Sequence, residues 1–336
     1  MAGTALDDVA EKTSGNQPVG AFVRKTSLFR NAISKVGPFP PAKGRYLLYV
    51  SYACPWASRC VALRLMKGLE DVIDLAVVTA EWTKTKVDDE NDQHRGWYFD
   101  ASYPGGTRDP VWDCRTIRDV YEKSVEGVEN APKTERFTVP ILFDKQTKRI
   151  VNNESGEILR FLAAEFNEFA KYPELDTYPA KFRTEIDAMN ESIYESINNG
   201  VYKCGFAQTQ EAYDVAKEPL FQRLEELDTI LEKQRYLIGG GAGLTEADIR
   251  LFVTLVRYDP VYFIHFKCCK KLIREYKNLG PWLRDVYQTM RLQDSVNLKH
   301  IRDHYYMCHK SINPFGIVPL VGVDLESPHG RDSLPK

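Results

Sequence analysis

The sequence predicts an α/β domain followed by an all-helical domain. Three observations predict it. Residues 46 to 166 alternate in the order β-α-β, insertion, β-β-α, and strand-like segments stop beyond Tyr178. The chain is also 336 residues long, past the roughly 250–300 residues at which a single core stops growing.

The first 43 residues are polar and lead into "KVGPFPPAKG", whose prolines and glycines rule out regular structure; they form an arm. From Tyr46, "YLLYVSYA" has the aromatic and β-branched character of a strand. "PWASRCVALRLMKGL" from Pro55 has helical spacing, with proline tolerated in the first turn. "VIDLAVVTA" at 72–80 is a continuous apolar run of strand length, which suits a buried parallel strand. Residues 81 to 135 are rich in turn formers and charges around a helical stretch, "CRTIRDVYEKS", and read as an insertion that lines a site. "VPILFD" and "RIVNN" then bracket the polar turn "KQTK", and "EILRFLAAEF" has the 3.6-residue period of a helix, completing a domain over 44–170.

Helical segments fill a second domain over 178–323: "FRTEIDAMNESIYESI", "LFQRLEELDTILEKQ", "EADIRLFVTLVRYD" and "KLIREYKNLGPWLRDVYQTM". A tail covers 324–336. In "LTEADI", Thr245 and Asp248 have capping-box spacing, with Leu244 and Ile249 at the positions of a hydrophobic staple.

A formal charge of −2 gives no global field toward nucleic acid or an anionic membrane, so a small molecule is the expected partner. No apolar run approaches the roughly 18–20 residues that span a bilayer, and the opening residues lack the basic and apolar regions of a secretory signal. Seven scattered cysteines are an odd number in a large chain, which points to thiols in a reducing compartment and a cytoplasmic protein.

Cys54 carries the chemistry. It stands between strand and helix in "YVSYACPWAS", where the unpaired N–H groups and dipole of a helix start favour a thiolate. An isolated cysteine is ordinarily core filling, but strand-Cys-Pro-helix sets this one apart. Ala57 stands where a CxxC motif has its second cysteine, so no disulfide closes there, and an oxidised Cys54 is rescued by an external thiol, for which glutathione is the obvious candidate. Cys60 falls on the opposite face of the helix and reads as core. Cys268 and Cys269 with His265 lack a second spaced pair, so no metal site is expected.

The β-α-β-β-α order is the thioredoxin-like arrangement, and with the helical domain behind it the chain resembles the glutathione transferase superfamily. The motifs that carry this are "CPWA", "TVPILFD", "NNES" and "LTEADI". A finer resemblance, over residues 20 to 323, rests on "NNGVYKCGFA", "RYDPVYFIHFKC", "HIRDHYYMCHKSINPFGIVP" and the long insertion. These closely resemble the glutathionyl-hydroquinone reductases, the Xi class of glutathione transferases.

The resemblance implies an enzyme that binds glutathione as co-substrate, with no permanent cofactor, and acts on glutathionyl-hydroquinones through Cys54. Pro140 corresponds to the cis-proline of the fold, leaving Val139 N–H and C=O for the extended backbone of glutathione. Glu154 and Ser155, at a helix start, are the family's partners for its γ-glutamyl end, Trp82 binds it too, and Arg95 offers a charge to one of its carboxylates. Tyr202 corresponds to the family's proton donor, and Tyr262 and Tyr305 to two tyrosines that help hold the site's charge; the doublet leaves Tyr306 as the alternative to Tyr305. A homodimer is implied as well, with the "GPFPP" arm and the insertion as candidate contacts. Two other readings use the same fold: an Omega-like thiol transferase or dehydroascorbate reductase, which needs Cys54 but not the tyrosines, and a non-catalytic ligand-binding protein.

Overall fold

The computed structural model describes residues 18–336. They fall into two compact units, so the α/β-then-helical order holds. Residues 1–17 of the predicted arm lie outside the described residues. The first unit comprises Lys25–Leu175 and Asp294–His304; the second comprises residues 18–24, Asp176–Gln293 and Tyr305–Lys336.

The first unit is built on a four-stranded sheet. Strand β1 (Tyr46–Val50) is followed by helix α1 (Pro55–Met66) and strand β2 (Asp74–Val77), which pairs parallel to β1. After the insertion come β5 (Ile141–Asp144), β6 (Arg149–Asn152) and helix α3 (Ser155–Ala164), and the sheet order is β2-β1-β5-β6. Every residue of β1 is buried, as expected of a central strand, and α1 is buried on nearly every face, Arg59 and Arg64 included.

Strand β2 is shorter than the apolar run that predicts it. Thr79 N–H leaves the sheet to donate to Tyr98 O at 3.0 Å, turning the chain into the insertion. There the strands β3 (Trp82–Lys84) and β4 (Arg95–Trp97) form an antiparallel hairpin that the turn-rich sequence did not announce. Helix α2 (Ile117–Val125) follows behind a Thr116–Asp119 capping box. Buried Asp109 organises the intervening loop, accepting from Tyr49 OH at 2.6 Å and from the backbone N–H groups of Val111, Trp112 and Cys114. Arm residues 27–31 run beside β6, with Asn31 N–H donating to Val151 O and Asn153 N–H to Phe29 O, each at 3.0 Å.

In the second unit α4 (Arg183–Ile193) runs into a π turn (Tyr194–Asn198) and the short α5 (Gly200–Gly205). Then follow α6 (Gln210–Ile230), α7 (Glu246–Leu255), a second π turn (Tyr258–Tyr262) and α8 (Leu279–Gln288). Helix α9 (Leu298–Cys308) ends the regular structure. The predicted helical stretch 271–290 is broken, and α8 starts only at Leu279, where Asp228 accepts from the N–H groups of Asn278 and Leu279 at 2.7 Å. The tail is pinned rather than loose: Arg331 donates to the carbonyls of Leu231, Gln234 and Arg235. Among the described residues no helix is long and apolar enough to cross a membrane.

The capping box of α7 does more than start a helix. Asp248 is fully buried and accepts from Thr245 N–H and Oγ1 at 3.0 Å, from Leu237 N–H at 2.9 Å and from Trp282 Nε1 at 3.2 Å. Asp248→Ala strands four buried donors, and its expected loss of stability is roughly 3–5 kcal/mol, read as a lowered denaturation midpoint. An unchanged midpoint would refute this role.

Candidate active site

The sheet gathers the predicted glutathione-binding segments of the first unit. Tyr49 in β1 faces Ile141 in antiparallel β5, Leu142 in β5 faces Asn152 in β6, and Val50 in β1 faces Val77 in parallel β2. The chain therefore leaves β1, β2 and β6, and enters β5, at one end of the sheet.

Cys54 caps α1 from an extended conformation (φ −78°, ψ 117°), and its carbonyl accepts from Ser58 N–H at 2.9 Å. The thiol is half-buried, and its Sγ lies 3.5 Å from Val139 O. The Val139–Pro140 peptide bond is cis. Cys60 is fully buried with its sulfur 3.8 Å from Ser155 O, a core position as expected.

At the start of α3, Glu154 is the N-cap residue and its carboxylate accepts from Gly156 N–H at 3.2 Å. It also accepts from Ser27 Oγ at 3.0 Å, a contact supplied by the arm that sequence reasoning missed. The two asparagines of "NNES" hold the turn: Asn152 Oδ1 accepts from Glu154 N–H at 2.7 Å, and Asn153 Oδ1 from Phe29 N–H at 3.1 Å. Ser155 is buried, and its Oγ accepts from the guanidinium of Arg59 at 3.4 Å. Arg59 is also buried and lies 4.4 Å over the Trp56 ring, so one cation of α1 reaches the start of α3. No motif singled it out: Arg59 is one of two arginines on a mostly apolar helix, and nothing local separates it from Arg64.

Trp82 opens β3 and is buried edge-on against Trp97 and His304, at 5.6 and 4.9 Å between ring centres. His304 stacks on Trp97 at 4.4 Å and is held by the Ala80 carbonyl, 2.8 Å from its Nδ1. Sequence reasoning missed His304 because its partners lie more than two hundred residues away. Arg95 is exposed on β4 and donates to Trp82 O at 2.9 Å, which ties it to the hairpin backbone.

The three tyrosines come together in the second unit. Tyr305 OH lies 2.5 Å from Tyr202 OH and 2.8 Å from Tyr262 OH, making a chain of three hydroxyls. Of the doublet, Tyr305 is the member that joins the other two, since Tyr306 OH donates instead to Pro260 O at 3.1 Å. Each π turn delivers one member: the first runs into α5 and Tyr202, and the second ends at Tyr262. Burial pushes the Tyr262 and Tyr305 phenols well above their ordinary pKa, so both stay protonated. Phe266 stacks on Tyr262 at 5.2 Å, and only a glycine fits opposite it: a Cβ on Gly205 would lie 2.2 Å from the Phe266 ring. His265, predicted not to hold metal, pairs its Nε2 with His309 Nδ1 at 3.1 Å, and burial lowers its pKa to about 4. Among the described residues no group of three or more His, Cys, Asp or Glu side chains is arranged to hold a metal.

Comparison with known proteins gives consistent answers. The family model for the glutathione S-transferase N-terminal domain matches residues 53–165, and that for the C-terminal domain matches residues 210–285. The glutathionyl-hydroquinone reductase YqjG of Escherichia coli (strain K12) is 44% identical over 322 residues, covering 93% of each chain. A crystal structure of the glutathione-S-transferase Xi from Phanerochaete chrysosporium is similar with a TM-score of 0.82 at 46% identity, covering 91% of this chain and 99% of that one. The glutathione-bound structure of YqjG has a TM-score of 0.83 at 44% identity, covering 91% and 96%. The chain belongs to the glutathione transferase superfamily and, within it, to the Xi class, the glutathionyl-hydroquinone reductases.

Proposed function

We propose that this protein reduces S-glutathionyl-hydroquinones to hydroquinones with glutathione as co-substrate. The observation that carries the reading is Cys54 at the start of α1, with its sulfur 3.5 Å from the Val139 carbonyl and no second cysteine one turn on. Glutathione binds along Val139 and Pro140, with its γ-glutamyl end at Glu154 and Ser155 and further contacts from Trp82 and Arg95. Support for this placement comes from the convergence of these segments at one end of the sheet.

The Cys54 thiolate attacks the sulfur of the glutathionyl thioether. A sulfur–sulfur bond forms, the carbon–sulfur bond breaks, and its electron pair passes to the ring carbon, which takes a proton from Tyr202. A second glutathione thiolate then attacks the Cys54–glutathione disulfide, so hydroquinone and oxidised glutathione are the net products. Tyr305, hydrogen-bonded to Tyr202, and Tyr262 behind it stabilise the phenoxide that Tyr202 becomes. The same reading places the enzyme in the cytoplasm as a homodimer. The first is supported by the odd number of cysteines, seven, scattered through the sequence, and the second by the strongly exposed apolar residues Phe315 and Leu320.

Cys54→Ser should abolish hydroquinone formation and disulfide exchange without unfolding the protein, because a serine hydroxyl cannot form the mixed disulfide. Substantial turnover by the variant would defeat the assignment. After exposure to oxidised glutathione, intact mass should show one added glutathionyl group, mapped to Cys54 and removed by reductant; labelling spread over exposed Cys269 and the rest would count against a specially activated sulfur. Tyr202→Phe removes only a hydroxyl and should slow hydroquinone formation by about 100- to 10,000-fold, with a much smaller effect on exchange with a small disulfide, which needs no proton on carbon. Tyr305→Phe and Tyr262→Phe should each slow hydroquinone formation as well, since each removes a hydroxyl from the cluster behind Tyr202. If all three tyrosine variants match the parent, the Omega-like reading becomes the better one.

A further inference from the structure

Residues 18–24 precede the sheet in sequence but fold with the helices. Gln208 N–H donates to Gly20 O at 3.0 Å, and Thr209 Oγ1 donates to Val19 O at 3.1 Å, fixing the segment at the turn between α5 and α6. Phe22 is buried and stacks on Tyr202, with ring centres 6.2 Å apart at 28°. Arg24 donates through Nε to Asn199 Oδ1 at 3.0 Å, and its guanidinium carbon lies 4.9 Å from the centre of the Tyr202 ring and 5.2 Å from that of Phe22. Asn199 is buried and directly precedes α5, so the anchor of the guanidinium and the phenol ride on the same piece of backbone.

Resting on the role given above to Tyr202, we propose that Arg24 is a positioning residue for proton donation. It seats the Tyr202 ring and places a fixed positive charge over the face that turns electron-rich when the phenol gives up its proton. A cation over a neutral aromatic face is already attracted by the ring quadrupole. Once the proton has gone to the substrate carbon, the phenoxide spreads its negative charge into the ring, and the attraction strengthens as the transition state develops. Tyr305 and Arg24 divide the task. The Tyr305 hydroxyl meets the phenolic oxygen at 2.5 Å, and the Arg24 guanidinium meets the ring. Exchange between thiols and disulfides draws on neither, because no proton moves to carbon.

The test compares the full-length parent with Arg24→Lys, Arg24→Gln and Arg24→Ala in two assays, hydroquinone formation from a glutathionyl-hydroquinone and exchange on a small disulfide, with thermal melting to confirm folding. Gln keeps an N–H for Asn199 and fills part of the same space, so what it loses traces to charge; Lys keeps the charge. The ratio of the two turnover numbers should fall about 10-fold in the Gln and Ala variants and be largely restored in Lys, with KM for the hydroquinone conjugate little changed. The solvent deuterium isotope effect on hydroquinone formation should rise in Gln, as proton transfer comes to limit the rate. A Gln variant with the parent's ratio and isotope effect overturns this inference alone, as does a parallel fall of both activities in all three variants. A parent that forms no hydroquinone overturns the Tyr202 reading and this inference together.

Discussion

The register between β1 and β5 is the constraint on which the thiol site depends. Because the two strands run antiparallel with Tyr49 facing Ile141, the residues that follow β1 and those that precede β5 share one end of the sheet. Cys54 and Val139 are 85 residues apart in the chain yet meet at 3.5 Å. Each further pairing adds a segment to that end: antiparallel β6 brings Asn152 and the start of α3, and parallel β2 brings the turn into the hairpin carrying Trp82. A one-residue slip of β5 would turn its side chains to the opposite face and carry Val139 away from the sulfur. Arg45, just before β1, donates to buried Asp144 at the end of β5 at 2.6 Å, a pairing that such a slip would break.

The tyrosine cluster obeys different physics. No strand register positions it. Two π turns, one before α5 and one after α7, shift the helical phase so that Tyr202 and Tyr262 both reach Tyr305. Such bulges give up regular helical hydrogen bonding and are frequent at functional sites. Burial keeps the Tyr262 and Tyr305 phenols neutral, so they act as hydrogen-bond donors rather than as charges. In a low-dielectric surrounding a chain of hydroxyls polarises along its length, each bond strengthening the next.

Much of this was open to sequence reasoning, because the signals are local. Proline after Cys54, the apolar run of β2, the polar turn between β5 and β6 and the capping box at Thr245 each act within a few residues, and each marks an element in the right order. The motifs "TVPI" and "NNES" mark the entry to β5 and the start of α3 for the same reason. The sequence by itself thus determined the order of elements and the place of Cys54 at the start of α1. Only the tertiary structure decided which distant groups meet: Ser27 with Glu154, Arg59 with Ser155, His304 with Trp82 and Trp97, and Arg24 with Tyr202. It also decided which tyrosine of the doublet bonds to Tyr202, since adjacent positions on a helix point about 100° apart and only the packing around α9 turns Tyr305 toward it. Local signals fix local conformation, while a contact between residues a hundred or more positions apart depends on how whole elements pack, and that information is spread over the entire core.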